Sequence, residues 1–389
     1  MDIVSKGLPH LLRVLFVVLC LGQSACGQSR GLLVIVDMEP DDRIALLLLA
    51  AEFPEEIVYV GTTGMHAGRK QVLAERYLDR IGLAGIPVIQ GTGGEAASYP
   101  DIASSRAARE YQSEGRGLLS EADLTLINSD MPRSSEELNR VIRDLLRKRD
   151  DIEIVLLAPA TDLVHALEAE PSLKTRIKHI HMMAGWSEKV MPSGEVVRRT
   201  TYNWNMDPIA GAQLMSMKTV PMTLYSSHII KSSFSGGSIN KDGFPKIIGE
   251  LESQWCRVPA FESFLVAGNS WDHHLMKKIP PLRDIIGDNA GRQFTPADPV
   301  VVVGMARADF ITKTRSVDIT IDLNDLDPAK GFRVNLETDP TSRIVLIEAV
   351  DPEIFRQQVL RDFQKIAAAT VSPSTMARNP ACPKPVLVE

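Results

Sequence analysis

Apolar residues fall along this chain in short runs divided by longer mixed ones. Residues 32–36, 57–63, 86–90, 152–157, 177–183 and 220–225 are short and rich in β-branched side chains. That pattern predicts strands buried on both faces. Between them, residues 44–53, about 69–81 and about 134–149 predict helices, the first rich in Leu and Ala and the last opened by a capping box of Ser134 and Glu137. A further helix is expected at about 246–265. Strand and helix in alternation predict an α/β fold with a parallel sheet and right-handed crossovers. Near the end, residues 316–321, 332–336 and 343–349 predict strands, and about 352–368 a final helix. Residues 98–132 are polar and irregular, which suits loops or a lid over the strand ends. The Pro- and Ser-containing tail, 371–389, is expected to be disordered.

One stretch breaks this rhythm. The run at 32–36 stops at Asp37, and Glu39, Asp41 and Asp42 follow before apolar residues resume at Ile44. Four carboxylates thus stand on the loop at the carboxyl end of a strand, where open α/β sheets bind ligands. Like charges so close repel, and a cation relieves the repulsion. Asp41 and Asp42 also open a helix, where carboxylates suit the dipole and free N–H groups. The pattern therefore supports either a solvated acidic cap or a site for a hard cation, Ca²⁺ or Mg²⁺ rather than Zn²⁺.

The chain of 389 residues has room for one large α/β domain or two smaller ones, and its net charge of -6 argues against a nucleic-acid partner. Lys6 and Arg13 precede an apolar run at 14–21, and small residues follow at 24–27, the pattern of a secretory signal peptide over 1–27. The run is too short for a membrane span. Export to the periplasm or outside is expected, either as a soluble protein or as a lipoprotein anchored through Cys26. Beyond that region, Cys256 and Cys382 are able to pair in an oxidising compartment or to stay apart.

The acid loop, Val34 to Leu49, resembles the metal loop DTDPGxDDAxAL of the inosine-uridine preferring nucleoside hydrolases, in the D-x-E-x-D-D form of a divergent secreted bacterial branch. Ile35 replaces the leading Asp, and Met38-Glu39 replace Pro-Gly. Further elements are similar over most of residues 28–370. Residues 62–68 resemble TTVxGN, with His66 or Ala67 where the family has a sugar-binding Asn. Residues 158–162 resemble GPLTN, with Asp162 in place of Asn. Met183-Ala-Gly-Trp186 resembles MGGA, and residues 201–208 resemble EFNxxxDP, with Thr201 in place of Glu. Residues 294–306 resemble plHDPLAVAYA, with Ala297 in place of His. Local pattern makes Val300–Val303 a strand; the resemblance, with Pro299 at a first helical position, makes it a helix.

The resemblance implies a nucleoside-hydrolase-like central, mostly parallel β-sheet flanked by helices, and hydrolysis of the N-glycosidic bond of ribonucleosides to ribose and free base. It assigns one Ca²⁺ to Asp37, Asp42, Asp298 and the main-chain carbonyl of Thr161, with Asp272 competing for the place of Asp298. Asp41 and Asn203 would hold the sugar hydroxyls, and His66 is a further contact. Asp37 would act as base on a water made acidic by the cation. His273, His274 and Trp271 are the candidates that meet the leaving base. Asp207 is expected only to cap a helix. His179 and His181 share a strand face without a third metal ligand nearby. A small nucleoside or sugar partner and a homo-oligomer both fit. The changes at Thr201 and Ala297 leave two other classes open: a glycosidase acting on another sugar, or a calcium-stabilised sugar-binding protein. A phosphotransferase using Asp37 as nucleophile lacks its usual D-x-D-x-T loop.

Overall fold

In the computed structural model, described over residues 30–64, 67–92, 135–228, 233, 297–327 and 330–370, the apolar runs form one sheet. The strands are β1 (Gly31–Val36), β2 (Ile57–Thr62), β3 (Val88–Gln90), β4 (Ile152–Leu156), β5 (Ile177–Ala184), β6 (Trp186–Val190), β7 (Val196–Thr200), β8 (Met222–Ser226), β9 (Ile311–Asp327), β10 (Gly331–Thr338) and β11 (Ile344–Val350). Their order is β3-β2-β1-β4-β5-β8-β11-β9-β10-β7-β6. From β3 to β11 every pairing is parallel. From β11 through β9, β10, β7 and β6 every pairing is antiparallel.

The helices are α1 (Pro40–Glu52), α2 (Ala67–Arg80), α3 (Glu137–Lys148), α4 (Thr161–Ala169), α5 (Tyr202–Met206), α6 (Pro208–Ser216), α7 (Ala297–Ala306) and α8 (Pro352–Thr370). They cover both faces, as a parallel sheet requires. Alternate residues of β1 divide between two cores: Leu32, Val34 and Val36 pack with α1, α7 and α8, while Leu33 and Ile35 pack with α3, α4 and α6. The two-residue period of a strand sends one set to each layer. Among the described residues no helix is long and apolar enough to cross a membrane.

The expected α/β fold with a mostly parallel sheet is what forms, and the strands expected near the end are β9, β10 and β11. Two local readings change. Val300–Val303 are helical, buried in α7 between α1 and the sheet. Helix α3 has Glu136 as its N-cap with no side-chain cap, and its first amide, that of Glu137, donates instead to Ser135 Oγ at 3.1 Å. The capping serine proposed from sequence, Ser134, lies outside the described residues. So do the signal region and Cys26, the polar stretch 98–132, the helix at 246–265, Cys256, Cys382 and the tail.

Candidate active site

The site is built where β1 ends. Val36 is the last strand residue, and the chain turns through Met38 at φ 58° before α1 begins at Pro40. A left-handed conformation costs a non-glycine residue about 1–2 kcal/mol. Met38 is held there with its side chain wholly buried in the core. The turn points Asp37 back toward the first turn of α1, where Asp42 Oδ2 accepts from the Glu39 amide at 2.7 Å. Asp298 arrives from the first turn of α7, which packs against α1.

Carboxylate oxygens of Asp41, Asp42 and Asp298 lie within 4.8 Å of one another. Asp37 stands beside them: its negative charge acts on all three. These acids are not a solvated cap. Asp37, Asp41, Asp42 and Asp298 are 3%, 7%, 0% and 4% exposed. Burial, then the charge of Asp37, pushes Asp41 up to about 7. Burial and the neighbouring carboxylates hold Asp42 and Asp298 far above the usual carboxylate range. Asp41 Oδ1 and Asp42 Oδ1 are buried without a hydrogen-bond partner. A buried polar atom left so costs about 1–3 kcal/mol. An all-oxygen, multiply anionic pocket with unpartnered oxygens fits a hard divalent cation.

The neighbouring strand ends carry the rest. The Leu157 amide after β4 donates to Ile35 O at 2.9 Å, which brings that loop beside the acids. Thr161 is the first residue of α4, behind an Ala160 N-cap, so it is not itself the cap. Its hydroxyl donates to Asp207 Oδ2 at 2.7 Å, and Asp207 Oδ1 caps α6 by accepting from the Ala210 amide at 2.9 Å. Asp207 is thus the helix cap expected, tied to a metal-ligand candidate. Asn203, on α5, donates from Nδ2 to Leu157 O at 2.9 Å and Met183 O at 3.0 Å. These bonds pin its amide over the ends of β4 and β5, and its Oδ1 is buried without a partner.

Asp162 has a different use. Fully buried at the ends of β2, β3 and β4, it accepts from Thr63 Oγ1 at 2.7 Å, Thr92 Oγ1 at 2.8 Å and the Thr92 amide at 3.0 Å. It ties three loops together, and burial raises its pKa despite these donors. The Gly91 position is part of this knot: a Cβ there would lie 2.5 Å from Asp162 Oδ2 and 2.8 Å from Thr62 O. His179 and His181 do share a face of β5, with ring centroids 4.5 Å apart. Each has a polar partner, Thr223 Oγ1 at 2.8 Å and Glu153 Oε2 at 3.2 Å.

Of the site residues expected from sequence, the fold brings together Asp37, Asp41, Asp42 and Asp298, with Asn203 and Thr161 on adjacent strand ends. His66, Trp271, Asp272, His273 and His274 lie outside the described residues. Sequence reasoning gave Asp41 to the sugar alone, whereas here it is also part of the tight acidic group. The adjacent double Asp was the available signal. It missed the Asp162 knot, because the threonines that complete it come from two other strand ends.

A sequence model described as inosine-uridine preferring nucleoside hydrolase matches residues 33–357. An uncharacterized protein of Schizosaccharomyces pombe is 27% identical over 236 residues, 58% of this chain and 71% of the relative. Among solved structures, an inosine-guanosine nucleoside hydrolase superposes with a TM-score of 0.59 at 18% identity, covering 87% of this chain and 99% of the other. A purine-preferring ribonucleoside hydrolase from Gardnerella vaginalis gives 0.59 at 16% identity, over 87% and 100%. An inosine-uridine preferring nucleoside hydrolase from Bacillus anthracis gives 0.59 at 15% identity, over 86% and 99%. At these identities the likeness to solved structures is one of fold.

Proposed function

This chain belongs to the inosine-uridine preferring nucleoside hydrolase family and is an N-ribosyl hydrolase; we propose that it is an exported, calcium-dependent enzyme that splits ribonucleosides into ribose and free base. The observation that carries the reading is the buried group of Asp41, Asp42 and Asp298 beside Asp37, with two oxygens lacking any partner. Asp37, Asp42, Asp298 and the Thr161 carbonyl would hold the cation. All are hard oxygen donors, which favours Ca²⁺ over softer metals. A divalent cation bound there supplies Lewis acidity and lowers the pKa of water.

The protein's own groups do the remainder. Asp37 takes the proton from the attacking water. The buried carboxylates face the positive charge that develops on the ribosyl ring as the C–N bond lengthens, and in a dry pocket their effect exceeds what it would be in water. Asn203 Oδ1, unpartnered, is an acceptor for a sugar hydroxyl, with Asp41 beside it. Export is supported by the basic residues and the apolar run at the N-terminus, and its form as soluble protein or Cys26 lipoprotein follows from which residue is processed. A second reading, a sugar-binding protein, is favoured by Thr201: its hydroxyl is engaged with Gly185 O at 3.0 Å and Ser227 Oγ at 2.6 Å, and it carries no charge toward a sugar.

The experiment is metal content together with hydrolysis of inosine and uridine, for mature wild type and Asp42→Ala. Stoichiometric Ca²⁺ and turnover, both lost in Asp42→Ala, are the expected result. Calcium without turnover on any riboside would leave the sugar-binding reading. No cation in either protein would remove the calcium site.

A further inference from the structure

Resting on the ribosidase reading, we infer that His228, held by Glu188, donates the proton that the leaving base needs. N-ribosyl cleavage leaves the electron pair of the broken bond on a base nitrogen, and a poor leaving group requires protonation there. The acids at β1 cannot meet that need, because they face the sugar and one of them accepts a proton from water. Ala297, directly before Asp298, offers no proton.

The polar groups at the carboxyl rim of the sheet run in one line. The acids sit at the end of β1. Asn203 spans the ends of β4 and β5. Thr201 then bonds Gly185 O, just past β5, and Ser227 Oγ, just past β8. Gly185 makes this crossing possible: its φ is 126°, and a Cβ there would lie 2.8 Å from Ser226 Cβ. His228 is the next residue along this rim. From β1 to β8 there are three strand spacings, about 14 Å in all. With a ribose held between the acids and Asn203, a base directed along the rim toward β8 would meet His228.

His228 has the support an acid requires. Its Nε2 lies 3.5 Å from Glu188 Oε2, while its side chain remains one-third exposed. Glu188 is fixed in turn: its Oε1 accepts from Arg198 Nε at 2.7 Å and from Trp186 Nε1 at 3.1 Å. Trp186 is buried against Trp204 of α5, the helix that carries Asn203. Glu188, facing Nε2, orients the imidazole so that Nδ1 is the nitrogen left to donate. Glu188 is the charged group set against His228, and Arg198 holds Glu188 in turn. Water adds its oxygen to the anomeric carbon and gives a proton to Asp37. The C–N bond breaks with its electron pair on the base, and that nitrogen takes the proton from His228. One proton is gained and one lost, so exchange with solvent restores both residues.

The test measures kcat of wild type, His228→Gln, His228→Ala, Glu188→Gln and a His273→Ala/His274→Ala double variant on inosine, uridine and p-nitrophenyl riboside, whose leaving group needs no acid. His228→Gln is expected to lose about 100-fold or more on both nucleosides and to keep near-wild-type turnover of the nitrophenyl riboside. Glu188→Gln should lose less, with the same selectivity, and added imidazole should restore part of the nucleoside activity of His228→Ala. Equal loss on all three substrates, or selective loss in the double variant alone, would overturn the assignment and leave the ribosidase reading intact. A wild type inactive on every riboside would overturn that reading and this role together.

Discussion

Removing one buried carboxylate should stabilise the metal-free protein and abolish its response to a cation. The perturbation is Asp42→Asn. Asparagine keeps an oxygen for the Glu39 amide, now 2.7 Å from Asp42 Oδ2, and puts an NH₂ where three acids converge. The magnitude can be worked from Asp41, which is moved from 3.8 to about 7. Each pKa unit corresponds to 1.36 kcal/mol, so ionising this one group in the metal-free fold costs about 4 kcal/mol. The sign follows from linkage. Where the folded pKa is raised, the folded state holds the proton longer than the unfolded chain does. The stabilising contribution is therefore complete below about pH 4 and lost as pH rises through about 7. Metal-free wild type should become less stable across that window, and a divalent cation at 100 times its Kd should return about 2.7 kcal/mol above it. In Asp42→Asn the loss toward pH 8 should be smaller and the cation response absent. The assay is thermal unfolding of both proteins from pH 4 to 8, in chelator and in millimolar Ca²⁺. A variant less stable than wild type in chelator at pH 8, or one whose unfolding still shifts with Ca²⁺, would refute the view of these acids as a strained cation pocket.

Two further outcomes test how the pocket is held. Thr161→Val removes a buried hydroxyl bonded to Asp207 Oδ2. It should lower stability by about 1–3 kcal/mol while leaving Ca²⁺ affinity within a few-fold of wild type in calorimetry, because the main-chain carbonyl remains; a lost calcium site would point to the hydroxyl instead. Gly304→Ala places a Cβ 2.3 Å from the Tyr225 hydroxyl, at the contact of α7 with β8. Overpacking of this kind costs about 1–3 kcal/mol, and since α7 carries Asp298, weaker cation binding should accompany the fall in unfolding midpoint. An unchanged midpoint would mean that the helix shifts freely.

Much of this protein was written locally. The run ending at Val36, the acids and the Leu-rich helix follow each other so closely that strand, ligand loop and helix are legible without a fold. So is the parallel half of the sheet, since each strand there is a doubly buried apolar run followed by a crossover. Of the antiparallel half, β9, β10 and β11 were legible as strands, whereas β6 and β7, short and largely polar, were not, and the arrangement was not legible at all. That β11 inserts between β8 and β9, and that β7 and β6 close the edge beyond β10, depends on pairing between distant segments. Four consecutive valines read locally as a strand, yet at α7 burial between α1 and the sheet outweighs their modest helical penalty. The acids themselves were visible, but their state was not. A carboxylate on a surface cap and one sealed under Met38, α1 and α7 have the same sequence, and only packing removes the water that would have screened them. The same holds at Asp162 and at Glu188 with His228. Each partner is ordinary in its own segment, and its chemistry comes from groups that the sheet delivers from other strand ends.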